Sequence, residues 1–149
     1  MTVDEQVEMT TAEIAEFLTG RQVAVLALPR PKGTYCIPVT YRYDADGRRF
    51  YFRMVFAEGS TKRRFFDERP RAQLVVYEEA PPRYRSVIAE GRPRRITNEE
   101  IDLEYVEAFG EMMRPLFELW REDRRELEIE LYEIEAESLT GRRIDLSEG

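Results

Sequence analysis

"TYCIPVTYRYDADGRRFYFRMVF", residues 34–56, decides how this chain folds. Its first part, 34–44, is rich in β-branched and aromatic residues alternating with polar ones, the pattern of a half-buried strand. "DADG" (44–47) then supplies Asp-Gly turn chemistry, and "RRFYFRMVF" (48–56) resumes the alternation, so the stretch predicts a β-hairpin. The two-residue period of its second strand sends Phe50 and Phe52 inward.

The flanking sequence continues the sheet. "RQVAVLAL" (21–28) is a nearly continuous apolar strand, ended by "PRPKG", whose prolines cannot extend a ladder. "RAQLVVYEE" (71–79) and "RYRSVIAEGRPRRI" (83–96) predict two more strands across the turn-forming "APP". In "ELEIELYEIEAE" (126–137), Leu127, Ile129 and Leu131 share one face while Ile134 and Ala136 fall on the other. That change of parity predicts a β-bulge near Leu131–Tyr132.

Helices frame the strands. Thr10 caps a short opening helix, Glu13 completes a capping box, and Ile14, Phe17 and Leu18 form its apolar stripe before Gly20 ends it. Thr97 and Glu100 predict a second box. An amphipathic helix follows through Ile101, Tyr105, Phe109, Met112, Leu116 and Trp120, bent near Gly110 and Pro115. Met113, Phe117 and Trp120 on it read as packing or dimer surface in preference to a substrate lid. The expected fold is a β-barrel of the α+β class: a six-stranded antiparallel barrel with peripheral helices, forming one domain over 1–149. Residues 1–9 and 145–149 are expected to be loose termini.

Composition excludes several functions. At 149 residues the chain is long enough to bury a real core. It contains no histidine, which removes the usual general base, the commonest zinc ligand and any Ser-His-Asp machinery. No spaced carboxylate loop suggests a metal. Cys36 stands alone, so no intramolecular disulfide can form, and it is expected as a small buried hydrophobe. A net charge of -7 argues against nucleic-acid binding. No apolar run approaches a membrane span and no secretory signal opens the chain, so a cytoplasmic location is expected.

Against that acidity, "FAEGSTKRRFF" (56–66) gathers three consecutive cations after two hydroxyls. Ser60 and Thr61 can start a short helix whose free N–H groups favour an anion, with Lys62 adding a point charge and Arg63 or Arg64 a forked donor. The same residues also read as a solvated basic turn pairing with Asp67 and Glu68. Lysine is rare here: of 23 basic residues only Lys32 and Lys62 are lysines. From these residues alone the solvated basic turn is the favoured reading. Arg85, beside Ser86, reads equally as an anion contact or as a strand residue facing Glu78 or Glu90.

The ordered set of signals resembles the flavin-binding split barrels related to pyridoxamine 5'-phosphate oxidase. The segments that carry the likeness are "TTAEIAEFL", "VAVLAL", "YCIPVTYRYDADGRRFYFR", "GSTKRRFF", "ERPRAQLVV", "RSVIAEGRPRRI" and the closing "LTGRR", over roughly residues 10–144. The resemblance implies a homodimer with FMN at the subunit interface. It implies ring contacts around Pro38, Val39 and Thr40 and around Tyr51, Phe52 and Arg53, with phosphate contacts on Ser60, Thr61 and Lys62. Arg85 and Ser86 would approach from the later strands, from the partner chain in one arrangement. Arg53 stands where many relatives carry histidine, and a chain without histidine is a poor candidate for haem. The resemblance therefore implies flavin-mediated hydride or electron transfer to a small molecule, with catalytic residues unassigned. Two alternatives stay open. One is a deazaflavin-dependent reductase of the same fold, with Arg63, Arg64, Arg83 and Arg92 as cations for a longer acidic tail. The other is a non-catalytic flavin or small-anion binder.

Overall fold

A computed structural model describes residues 6–57, 61–97 and 127–146. In chain order these form β1 (Val7–Glu8), α1 (Thr11–Thr19), β2 (Val23–Pro29), β3 (Thr34–Asp44), β4 (Arg49–Ala57), α2 (Thr61–Asp67), β5 (Ala72–Ala80), β6 (Arg83–Gly91), β7 (Pro93–Arg95), β8 (Leu127–Glu135) and β9 (Ser138–Asp145). Ser60 and the expected helix beyond Thr97, with Met113, Phe117 and Trp120, lie outside the described residues.

The deciding hairpin forms as its alternation predicts. β3 and β4 pair antiparallel from Tyr41 opposite Phe52 to Asp44 opposite Arg49. The Asp44 side chain accepts from the Asp46 N–H inside the turn, and Arg48 takes a left-handed φ of 53° at its exit. Phe50 and Phe52 are fully buried. Nine strands run in the order β1-β9-β6-β5-β2-β3-β4-β8-β7, every neighbouring pair antiparallel. The curled sheet, with α1 and α2 at its margins, is a split barrel.

Of the three strands beyond the expected six, β1 is the N-terminal segment paired to β9, and the other two have a local cause. β6 and β7 are separated only by Arg92, and β8 and β9 only by Ala136 and Glu137. β6 pairs with β9 and β7 with β8, so these are two long strands bent together at one corner. Glu90 faces Ser138 while Pro93 faces Ile134. Three steps along one strand therefore answer four along the other, and the additional residue lies within Glu135–Ser138. Strands that pass from one sheet to another commonly turn in this way.

The bulge expected at Leu131–Tyr132 is absent, because β8 pairs with β4 without interruption from Leu127 opposite Ala57 to Glu135 opposite Arg49. Tyr132, Ile134 and Ala136 are buried on the core side, whereas Ile129 and Leu131 are half-buried on the other. Apolar residues on both faces, not a change of face, produced the misleading parity.

The core joins Leu26, Leu28, Phe50, Phe52, Phe56, Leu74, Val76, Tyr132 and Ile134 from the strands with Phe66 from α2. Phe66 packs 5.6 Å from Phe56 and 5.1 Å from Tyr132 between ring centroids, so α2 is anchored by its aromatic residue. α1 carries the expected reciprocal capping box between Thr10 and Glu13, and it buries Ile14, Phe17 and Leu18. Residues 7–9, expected to be loose, are tied down: β1 pairs with β9, and the buried Met9 donates its N–H to the Gly141 carbonyl at 2.8 Å. Backbone pairing outweighs their terminal position. Beyond β9, the Leu146 N–H likewise donates to the Pro82 carbonyl.

Candidate functional site

Alternation along β3 and β4 sorts the residues expected around a flavin ring. Tyr41 pairs with Phe52 and both are buried in the core, while Arg42 pairs with Tyr51 on the opposite face. By the same period Val39 and Phe52 face the core, where only their backbone groups can meet a ligand. Pro38, Thr40, Tyr51 and Arg53 share the outer face. Pro38 is exposed and Thr40 half-buried, whereas Tyr51 and Arg53 are buried at 7% and 6% exposure.

Arg53 is unusual among them. Its Nε and Nη1 atoms are buried and have no hydrogen-bond partner among the described residues. Burial pushes its pKa below the ordinary arginine value, with no neighbouring carboxylate acting in the other direction. A guanidinium remains protonated even so. The outer face of β4 thus holds a positive charge that the described residues do not answer.

The basic turn lies at the rim of the barrel. Thr61 and Lys62 open α2, and the Lys62 ammonium rests over the Tyr35 ring, 5.0 Å from its centroid. The Arg30 guanidinium approaches the same ring at 5.7 Å. Arg30, Tyr35, Thr61, Lys62, Phe65 and Phe66 line a cavity of about 210 Å3. Burial raises the Tyr35 pKa and Arg30 opposes that rise, so the phenol stays neutral between the two cations. Two positive charges converging on one small cavity favour an anion there. The space suits a phosphate but is smaller than the cavities that enclose whole cofactors.

Arg30 and Tyr35 were not singled out from the sequence. Arg30 lay in a turn read only for its ladder-breaking prolines, and Tyr35 looked like any alternating strand residue. The turn itself brings Arg30 back, because its N–H donates to the Gly33 carbonyl at 3.0 Å. The nearest available signal was a cation placed between two prolines at the end of an apolar strand.

Other expected contacts lie elsewhere. β5 and β2 separate β6, and therefore Arg85 and Ser86, from β3. Arg85 forks onto Glu78, with Nε to Oε1 at 3.0 Å and Nη2 to Oε2 at 2.9 Å, and its guanidinium covers the Phe17 ring at 4.6 Å. Ser86 is half-buried on the other face of β6. Three of the four arginines considered for a longer acidic tail are engaged within the chain. Arg63 pairs with Glu130 at 2.9 Å, Arg83 approaches Glu78 at 3.6 Å, and Arg92 donates to the Arg69 carbonyl at 2.7 Å. Cys36 is exposed rather than buried, since it lies on the outer face of β3 opposite Ala27.

That outer face is apolar over a wide area. Pro38, Val25, Val75 and Ile88 lie in one row across β3, β2, β5 and β6. Val23 and Tyr77 flank it at 57% and 59% exposure, too much apolar surface to be a scatter of single side chains. Among the described residues no three Cys, Asp or Glu side chains are grouped to hold a metal ion, and no helix is long and apolar enough to cross a membrane.

Comparison with solved structures places the fold among known ones. An FAD-binding protein from Mesorhizobium loti is similar with a TM-score of 0.76 and 19% identity, over 94% of this chain and 99% of that one. The FAD binding protein from Mycobacterium smegmatis gives a TM-score of 0.64 and 16% identity over 94% and 99% of the two chains. The FAD and heme binding protein from the same organism gives 0.66 and 17%, over 97% of this chain and 74% of that one. No protein of curated function matches the sequence. The family profile described as pyridoxamine 5'-phosphate oxidase matches residues 10–143, nearly the whole of the barrel, and the chain belongs to that family.

Proposed function

We propose that this protein binds FMN as a homodimer in the cytoplasm and acts as a flavin-dependent oxidoreductase on a small molecule. The observation that carries the reading is the convergence of Arg30 and Lys62 on the Tyr35 ring beside Thr61, a corner suited to a terminal phosphate. Family membership and the flavin-binding character of the structural neighbours support it.

Thr61, Lys62 and Arg30 hold the phosphate, with Ser60 adjoining them in sequence. The ring lies against the strands around Pro38–Thr40 and Tyr51–Arg53. Since the corner cavity is too small for a tricyclic ring, a groove between two copies supplies the remaining enclosure. The apolar row through Pro38, Val25, Val75 and Ile88 is the surface that a second copy covers. A second copy is also the route by which β6, with Arg85 and Ser86, reaches the ring. When bound, a flavin supplies the hydride or electron chemistry itself, and the protein contributes placement, electrostatics and exclusion of water. This accords with a chain that contains no histidine.

Titration of the purified protein with FMN, FAD, riboflavin and a deazaflavin, followed by fluorescence quenching, tests the reading. FMN is expected to bind more tightly than riboflavin, with one flavin per chain. Sedimentation is expected to show a dimer that Ile88→Asp dissociates with loss of flavin. A protein that ignores all four compounds refutes it. Tighter binding of the deazaflavin would move the assignment to a deazaflavin-dependent reductase, and bound flavin that no donor or acceptor turns over would make the protein a binder alone.

A further inference from the structure

The rungs between β4 and β8 set a carboxylate opposite Arg49 and opposite Tyr51 but not opposite Arg53, although Arg49 Nε and Glu133 Oε2 are also buried without a hydrogen-bond partner among the described residues. Arg49 faces Glu135. Tyr51 faces Glu133, whose Oε1 receives Nε and Nη2 of Arg94 at 2.9 and 2.7 Å. A hydrogen bond with Tyr51, followed by the charge of Glu133, holds the Arg49 pKa up. Arg53 instead faces Leu131, and the next rung toward the strand end on that face joins Val55 and Ile129. Its position is apolar on the partner strand and at 6% exposure lies almost out of water, yet two of its nitrogens have no acceptor among the described residues.

A buried guanidinium left without an anion is strongly destabilising, and folded proteins seldom retain one without a use for it. The forked donor geometry of arginine matches a planar carboxylate or a phosphate. The flavin phosphate already has a receptor in the Arg30–Lys62 corner. That corner lies with Tyr35 on the core-facing side of β3, because Tyr35 pairs with the fully buried Leu28. Arg53 belongs to the opposite face.

We propose that Arg53 is a second oxyanion receptor, which takes the carboxylate or phosphate of the small molecule that the flavin site acts on. The proposal rests on the flavin reading for its neighbour, and it makes the substrate an anion. Neutral and cationic analogues would leave the Arg53 nitrogens unsatisfied and be discriminated against for that reason.

Inorganic phosphate and acetate are suitable probes, added at constant ionic strength to flavin-free protein and to protein loaded with FMN or riboflavin. In the wild type both anions are expected to raise Tm in all three states. In the FMN-loaded protein Arg53→Met is expected to weaken that response at least about tenfold, the size of a lost charge-assisted hydrogen bond. Arg53→Lys, which keeps the charge without the fork, should retain part of it and guards against a misfolded Met variant. In the FMN-loaded protein, where the flavin phosphate fills the Arg30–Lys62 corner, a response that survives undiminished in both variants overturns the proposal. So does a wild type indifferent to both anions, which would mean that Arg53 is answered by a carboxylate of a second copy. Loss of FMN affinity in Arg53→Met with riboflavin affinity intact also overturns it, by assigning Arg53 to the cofactor phosphate. Failure of the flavin reading is seen separately, as absence of any flavin binding by the wild type.

Discussion

The Tyr41 hydroxyl donates a 2.7 Å hydrogen bond to the Leu18 carbonyl, joining the middle of β3 to the last turn of α1. Carbonyls at a helix C-terminus lack partners within the helix, and a buried one needs a donor from elsewhere. Leu18 is fully buried, so water cannot replace the phenol. Tyr132 presents the opposite situation. Its ring packs against Phe52, Phe56 and Phe66, and its buried hydroxyl, though within the field of Asp67, Glu130, Arg95 and Arg63, has no hydrogen-bond partner among the described residues.

The two tyrosines should therefore respond oppositely to loss of one oxygen. Tyr41→Phe is expected to destabilise the fold by about 1 kcal/mol, because it leaves the buried Leu18 carbonyl only the longer 3.3 Å hydrogen bond from the Arg21 N–H. Tyr132→Phe is expected to stabilise it by up to about 1 kcal/mol, because it removes a buried hydroxyl that has no partner among the described residues. Urea unfolding of both variants measures the difference. Equal losses would mean that the Tyr132 hydroxyl has an acceptor.

The bent corner should tolerate no side chain at Gly91. A Cβ there would meet the Glu135 carbonyl oxygen at less than contact distance and the Ile134 Cγ2 at 2.7 Å. Backbone of β8 cannot move away without breaking its register with β4. Gly91→Ala is expected to cost about 1–3 kcal/mol or more, as overpacking does. A control substitution at Gly33, where a Cβ meets nothing within 4 Å but φ is +89°, separates crowding from backbone strain. The control should lose about 1 kcal/mol.

Alternation and turn chemistry made β2 through β6 legible, because each strand presents one face to the core and each connection uses Pro, Gly or Asp. Thr34–Asp44 emerged with its expected bounds. β8 was misread where apolar residues occupy both faces, since periodicity reports only differences between faces. β9 was missed as a strand because "SLTGRRID" carries polar residues on both. Within the candidate site, Lys62 was singled out through its rarity together with its place in the Gly-hydroxyl-Lys turn of the family that the chain resembles. Arg30 was not, since nothing local shows that a turn residue will return over Tyr35. The isolation of Arg53 was invisible for a related reason: it depends on Leu131, brought opposite from the far end of the chain.

Glu78 should govern part of the acid limb of stability. A hydrogen bond from Arg85 chiefly holds its pKa below the ordinary carboxylate range, aided by the charges of Arg85, Arg83 and Arg21 and opposed by burial. Arg21 lies 3.5 Å away and Arg83 3.6 Å. A depressed pKa contributes stability that is full above the unfolded-state value, about 4.3, and is lost as pH falls through the folded value. Glu78→Gln is therefore expected to be less stable than wild type at neutral pH, with the gap closing in acid. A gap that stays constant from pH 7 down to about 2 would mean that the carboxylate charge contributes nothing.

Arg30 and Lys62 should act on the phosphate as a coupled pair. They approach one ring from 5.7 and 5.0 Å, so an anion between them would be stabilised by both, and each would still hold it weakly alone. Arg30→Gln and Lys62→Gln are each expected to weaken FMN binding about tenfold, the equivalent of about 1.4 kcal/mol, while riboflavin binding changes little. The double variant should lose less than the product of the single effects, because residues sharing one partner are not independent. Raising the salt concentration should weaken FMN more than riboflavin in the wild type, and this difference should vanish in the double variant. If both single variants weaken FMN and riboflavin equally, the corner positions the ring or the fold, and the phosphate lies elsewhere.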